Sequence, residues 1–214
     1  MRPRAVLFDF NGTLSDDEPI LYAIYAELCA EQGRPLTARE YLEELAGLSD
    51  EAIFASWLGA DHPDLDRLVH ERIARYRARV TDGATISPDV RSAVRYAAER
   101  VPVGIVSGAA GGEIEPVIGA AGLRDAIAFV VSADDVAAGK PNAEGYRRAL
   151  ALLGRDVPAA EVLAIEDTEA GVTSAKAAGM RVIALTRTLG RERLDHADAL
   201  IDAIGPEVMR GLLA

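Results

Sequence analysis

Val6-Leu7-Phe8-Asp9-Phe10-Asn11-Gly12-Thr13-Leu14 is the stretch on which the reading of this sequence turns. Ala5 to Phe8 is a short apolar run of the kind that forms a strand buried on both faces. It breaks into Asp9, Asn11 and Gly12, so a carboxylate stands where a buried strand reaches the surface. In open α/β sheets that edge, at the carboxyl ends of the strands, is where ligands bind. Taken by itself the stretch also fits a strand followed by an ordinary Asn-Gly turn. The rest of the chain decides between the two.

From Asp16 to about Asp82 the periodicity is purely helical. Asp17, Glu18 and Pro19 start a helix, along which Ile20, Leu21, Ile24, Tyr25, Leu28 and Cys29 share a face. Gly33 and Pro35 end it. Thr37 with Glu40 forms a capping box for a second helix. Gly47-Leu48-Ser49-Asp50 breaks that one, and two further helices follow, around Phe54 and around Ile73. After Gly83 the pattern changes to alternating strands and helices. Strands are expected at Val101–Val106, Ile127–Val131, Val162–Ile165, Val182–Leu185 and Ala199–Ile201, with helices between them. Such alternation argues for a parallel sheet with helices on both faces. The expected architecture is α/β, a Rossmann-like parallel sheet core carrying an inserted α-helical bundle, with core residues 1–15 and 84–214 and a helical cap at 16–83.

The chain has 214 residues and a formal net charge of −11. No basic cluster is present, which argues against nucleic acid or an anionic membrane surface as partner. The single cysteine, Cys29, excludes an internal disulfide framework and suits a reducing cytoplasm. No apolar run approaches the ~18 residues of a membrane span. A soluble cytoplasmic protein, monomeric or weakly dimeric, is expected.

Parallel strands place their carboxyl ends on one edge, and the polar residues line up there. The first strand ends in Asp9, the next in Ser107-Gly108, and a later one in Glu166-Asp167-Thr168. Lys140-Pro141 follows the Ile127–Val131 strand. Singly, each has an ordinary structural explanation: a turn, a helix cap, a solvated loop lysine. Together they suit phosphoryl transfer through an aspartyl-phosphate. A carboxylate attacks phosphorus in line and forms a covalent intermediate. Two anions must then meet, so a hard divalent cation is needed, and Asp9 and Asp167 offer the oxygen ligands that Mg²⁺ prefers. Ser107 and the amides of the helix after it can hold phosphate oxygens, and Lys140 can neutralise charge on the nucleophile.

With these four segments in their order, the chain resembles the haloacid dehalogenase-like hydrolases, and among them the phosphatases and mutases similar to β-phosphoglucomutase. The motifs are Asp9-Phe10-Asn11-Gly12-Thr13, Ser107-Gly108-Ala109, Lys140-Pro141 and Glu166-Asp167-Thr168-Glu169-Ala170-Gly171. The resemblance implies a mobile helical cap over a Rossmann-like core. It implies Asp9 as nucleophile, Ser107 and Lys140 on the phosphate, Asp9 and Asp167 on Mg²⁺, and Glu166 supporting the metal's shell. The substrate implied is a small phosphorylated metabolite.

One position departs from that pattern. The family's phosphatases usually carry a second Asp, as general acid and base, where this chain has Asn11. Asn preserves a metal contact through its backbone carbonyl but cannot move a proton, a function typically worth ~10²–10⁴-fold. Another carboxylate could serve, and Asp16, Asp17 and Glu18 lie close by, although they read first as an acidic helix start complementing the macrodipole. Alternatively, the substrate has a leaving group that needs little protonation, or the protein binds a phosphorylated ligand without turning it over well. A mutase would depend even more on the missing group.

Rival classes fit less well. A receiver domain needs no helical insertion after its first strand. Gly108-Ala109-Ala110-Gly111-Gly112 matches neither phosphate-loop fingerprint, and Gly104-Ile105-Val106-Ser107-Gly108 has the wrong nucleophile-elbow spacing. His62, His70 and His196 lack metal-ligand spacing. Substrate choice is expected to lie in the cap, where the Gly47–Asp50 break has no evident packing role. Ser49 and Asp50 are candidates to touch substrate, although Ser49 serves equally as a helix cap. Gly108 and the small residues after it leave room for a sugar or other polyol.

Overall fold

A computed structural model describes residues 2–214. The opening apolar run forms β1 (Ala5–Phe8), with all four residues fully buried. It lies inside a six-stranded sheet with β2 (Val103–Val106), β3 (Phe129–Val131), β4 (Val162–Glu166), β5 (Arg181–Leu185) and β6 (Ala199–Ile201). The order is β3-β2-β1-β4-β5-β6 and every pairing is parallel. Val6 is level with Val103 on one side and Leu163 on the other, which brings Asp9, Ser107 and Glu166-Asp167 to the same edge.

The two-residue repeat of β1 feeds two cores. Val6 and Phe8 pack with α5 (Pro88–Ala98), α6 (Gly111–Ala120) and α9 (Pro206–Leu212) through Val90, Val94, Ile114, Val117 and Met209. Ala5 and Leu7 face α7 (Glu144–Leu153) and α8 (Glu169–Ala177) through Tyr146, Ala149, Val172 and Ala175. The α/β reading of the sequence is correct. Two strands start later than their apolar runs. Pro102 precedes β2, and the Arg124–Ala126 helical turn takes Ile127 as its C-cap before β3. A residue without a backbone N–H and a tight turn each interrupt ladder pairing.

The helical block contains α1 (Glu18–Glu31), α2 (Ala38–Glu40, continuing as a π-turn over Tyr41–Leu45), α3 (Asp50–Leu58) and α4 (Leu65–Arg79). The Thr37–Glu40 capping box forms, and Ser49 caps α3 by accepting from Ala52 N–H at 3.3 Å. Cys29 is buried on α1 with Leu21, Ile24, Tyr25 and Leu28. Where the chain enters and leaves the block, Asp16 N–H donates to Thr85 C=O at 2.8 Å and Ser15 Oγ to Thr85 Oγ1 at 2.7 Å. Gly47 does have a packing role. With φ +88°, it sets its backbone against Thr168, whose Cβ lies 2.8 Å from where a side chain would begin. Among the described residues no helix is long and apolar enough to cross a membrane.

Candidate active site

Asp9 follows β1 directly and continues its ladder, its N–H donating to Ile165 C=O at 2.9 Å. That bond fixes where the carboxylate emerges. Lys140 Nζ meets it at 2.5 Å and also reaches Glu166 Oε1 at 2.7 Å and Val106 C=O at 3.0 Å. The lysine is thus held by three strand ends. Burial alone would depress its pKa, but the carboxylates of Asp9 and Glu166 outweigh burial and raise it. It stays an ammonium.

Asp9, Glu166 and Asp167 bring carboxylate oxygens within 4.8 Å of one another, all three buried. Burial pushes the pKa of Asp167 up strongly, and the neighbouring Asp9, Glu18 and Glu166 push it further. Glu166 is likewise raised by burial, against the pull of Lys140. Thr13 Oγ1 donates to Asp167 Oδ1 at 3.3 Å, and Thr188 Oγ1 to Asp167 Oδ2. Tyr146 donates its hydroxyl proton to Glu166 Oε1 at 2.5 Å. Glu166 Oε2 is buried without a hydrogen-bond partner.

Two glycines make room for these acids. At Gly12, φ +71°, a Cβ would lie 2.0 Å from Asp167 Oδ2; at Gly171 it would lie 1.9 Å from Glu166 Oε2. Any side chain at either position displaces a carboxylate. Thr168 caps α8 by accepting from Gly171 N–H at 3.2 Å, so the acidic pair leads straight into a helix N-terminus.

Ser107 follows β2 directly and is buried, its Oγ accepting from Ala109 N–H at 3.1 Å. Gly108 is exposed beside it on the cavity wall. Of the amides at the start of the next helix, two already have side-chain partners. Ala110 N–H donates to Glu113 Oε2 at 3.2 Å and Gly111 N–H to Asp134 Oδ2 at 2.9 Å. Carboxylates thus take two of the amides at the start of α6. Asn142 stands one position before the N-cap of α7, its Oδ1 accepting from Glu144 N–H at 2.9 Å.

The acidic stretch before α1 is not the solvated helix start that its sequence suggests. Asp16 is exposed and pairs with Arg187 at 3.4 Å. Asp17 is fully buried and makes no side-chain cap. It accepts from Asn11 Nδ2 at 2.9 Å, from Gly12 N–H at 3.2 Å and from the Tyr76 hydroxyl. Burial raises its pKa to about 6 against those bonds. Glu18 lines the cavity with Asp9 and Asn11 and accepts from the Tyr41 hydroxyl at 3.0 Å. Burial first, then the charge of Asp17, raises the Glu18 pKa to about 7.

These groups surround a cavity of about 430 Å³ between the sheet edge and the helical block. Asp9, Asn11, Ser107, Gly108 and Lys140 form its floor, and Ser49, Asp50, Tyr25, Tyr41 and Arg72 its far wall. Asp50 reaches that wall engaged, accepting from Arg72 and from the Tyr25 hydroxyl. Arg72 in turn pairs with the buried Glu113 of α6. Neither Arg72 nor Glu113 stands out in the sequence, because each is one charge on an amphipathic helix. Thr188 is more legible, since it follows β5 on the active edge. None of the three histidines lines the cavity.

A parallel sheet with a buried aspartate, a lysine and an acidic pair on one edge, under a helical block, defines a phosphoryl-transfer scaffold. The family model described as haloacid dehalogenase-like hydrolase matches residues 6–185, and the chain belongs to that family. It is 29% identical over 213 residues to validoxylamine A 7'-phosphate phosphatase of Streptomyces hygroscopicus subsp. limoneus, covering 92% of each chain. With the phosphoglycolate phosphatase of Rhodospirillum rubrum it shares 32% identity over 209 residues, covering 92% of this chain and 86% of the relative. Among solved structures it is similar to an Asp-to-Asn mutant of CbbY from Rhodobacter sphaeroides in complex with xylulose-(1,5)bisphosphate. The TM-score is 0.82 at 27% identity, covering 95% of both chains.

Proposed function

We propose that this protein is a Mg²⁺-dependent phosphatase that hydrolyses the phosphate ester of a small metabolite through an aspartyl-phosphate on Asp9. The observation that carries this reading is the Asp9–Lys140 contact at 2.5 Å on the cavity floor, beside two further buried carboxylates. On this reading residues 16–83 act as the cap and the remainder as the catalytic core.

The residues fit a hard divalent ion. The side-chain donors are all carboxylate oxygens, the three acids outnumber the one lysine, and a buried oxygen of Glu166 lacks a partner. Asp9, Asp167 and the Asn11 backbone carbonyl would hold Mg²⁺, with Glu166 supporting. Bound there, the ion supplies the positive charge that lets a phosphate dianion approach a carboxylate. Lys140 keeps Asp9 ionised and oriented. Ser107 and Gly108 receive the phosphate oxygens. Asp9 attacks phosphorus, the ester oxygen leaves as the alcohol, and water then releases phosphate and regenerates the carboxylate.

Both steps move a proton that Asn11 cannot carry. Of the three nearby acids, Glu18 is best disposed to carry it. Asp16 is tied to Arg187 at the surface, and Asp17 is spent on Asn11, Gly12 and Tyr76. Glu18 alone of the three lines the cavity, with its pKa near neutrality, where general acid–base catalysis works best.

A rapid-mix time course with p-nitrophenyl phosphate and Mg²⁺ tests the reading. Steady release of nitrophenol from the first turnover supports Asp9 as nucleophile with a working base. A burst of one equivalent followed by a stall supports Asp9 but removes Glu18 from the role. No release with aryl or alkyl phosphates overturns the phosphatase reading.

A further inference from the structure

The far wall of the cavity carries a specific charge arrangement. Among the described residues only two cations line the cavity, Lys140 and Arg72. Lys140 is committed on the floor to Asp9 and Glu166. Arg72 is buried and clamped from both sides, by Asp50 of the helical block and by Glu113 of the core. One guanidinium against two carboxylates leaves the trio at net charge −1. Burial raises the Glu113 pKa to about 7, and if that carboxyl is protonated the trio is neutral. Neither state offers a positive charge to a ligand.

The helix N-termini on these walls are partly occupied as well. A helix N-terminus binds an anion through free amides. Carboxylates take the Ala110 and Gly111 amides of α6. At α3 the Ala52 amide goes to Ser49 Oγ, and the first turn contains Asp50 and Glu51. What the far wall does present is hydrogen-bonding capacity: the Ser49 hydroxyl and the Asp50 carboxylate. Carboxylates are acceptors with several lone-pair sites, suited to hydroxyl donors and repelled by a second anion.

We propose that this cavity takes phosphate monoesters whose remaining part is uncharged and rich in hydroxyls, and that the Asp50–Arg72–Glu113 clamp excludes substrates bearing a second phosphate or a carboxylate. The proposal rests on the phosphatase reading above and narrows it. Without its two partners, Arg72 would be a ready receptor for a second phosphate, because a guanidinium binds phosphate bidentately. The clamp engages both terminal nitrogens within the protein and leaves only Nε, buried, without a partner.

The test uses the full chain with Mg²⁺ and compares kcat/KM for sorbitol 6-phosphate, 2-phosphoglycolate and fructose 1,6-bisphosphate. p-Nitrophenyl phosphate reports phosphoryl transfer itself. Sorbitol 6-phosphate is expected to exceed each of the other two metabolites by about tenfold or more, since like charges across a partly desolvated contact are strongly disfavoured. Turnover of the aryl ester with the bisphosphate or phosphoglycolate equal to sorbitol 6-phosphate, or better, overturns the proposal and leaves the phosphatase reading standing. No turnover of any of the four removes both. Asp50→Asn is expected to raise the ratio of bisphosphate to sorbitol phosphate several-fold, an effect that shrinks with added salt. A folded variant whose ratio does not move overturns the role of the clamp. Should the variant fail to fold, the wild-type ratios still decide.

Discussion

The two ends of the cavity are built by different means. At the floor, each functional group continues a strand or its loop, and its place follows from strand register. Asp9 extends β1, Ser107 extends β2, and Glu166 ends β4 with Asp167 next to it. At the far wall, position comes from pairings between helices distant in sequence, with Arg72 of α4 joined to Asp50 of α3 and Glu113 of α6. Backbone ladders fix the end assigned to chemistry. Side-chain ion pairs fix the end assigned to choice, and side chains are the easier of the two to change.

Substitutions sharpen this contrast, and the largest effect belongs on the floor. Asp9→Asn should lower turnover by roughly 10⁴-fold or more, as removal of a nucleophile does, and should abolish labelling of the protein by ³²P-phosphate ester. Asn11→Asp is expected to raise kcat for alkyl phosphates by about 10²-fold, and less for aryl esters, because a positioned acid matters most for poor leaving groups. The new carboxylate would face Asp17 across the present 2.9 Å contact, and mutual repulsion would favour one shared proton.

Glu18→Gln tests the boundary between the two ends. If Glu18 moves the proton, kcat for alkyl esters falls by about 10²-fold and the limb of the pH–rate profile near neutrality disappears. A fall in kcat/KM with that limb retained would reduce Glu18 to a wall residue. Gly171→Ala should cost roughly 1–3 kcal/mol by overpacking, read from urea unfolding, because the new Cβ overlaps the Glu166 carboxylate.

The smallest expected effect is thermodynamic. Asp17 and Glu18 have folded-state pKa values of about 6 and about 7, and those of Glu166 and Asp167 are also raised. Each lies above its unfolded value, so the folded protein prefers the protonated acid. The stability these groups contribute is complete below about pH 4 and is lost as pH rises through 6–7. In EDTA, Tm should therefore decline between about pH 5 and pH 8. Mg²⁺ should restore it most at the alkaline end, and a Mg²⁺ effect independent of pH would argue against a site made of these acids.

The same contrast governs what the sequence reveals. The floor is legible because an apolar run followed by a polar residue marks both a strand and its exit, and parallel pairing then gathers the exits. The capping signals at Thr37 and Ser49 are legible because they act within three residues. Asp17 is misleading: beside a helix-starting proline it resembles a solvated cap, and only the fold shows it buried under Tyr76. The Gly47–Asp50 break hides a close approach to Thr168 that local spacing cannot show. Arg72 and Glu113 are 41 positions apart, and no periodicity connects them.

The tight glycines bear on how such a protein can diverge. At Gly12 and Gly171 no larger residue fits beside the acids they shelter, so single substitutions there strike at the reaction itself. At Asp50, Arg72 and Glu113 the constraint is one of charge, because removing one partner leaves another buried and unpaired. A lineage that exchanges those charges in compensating pairs could arrive at a new diet with the old chemistry intact.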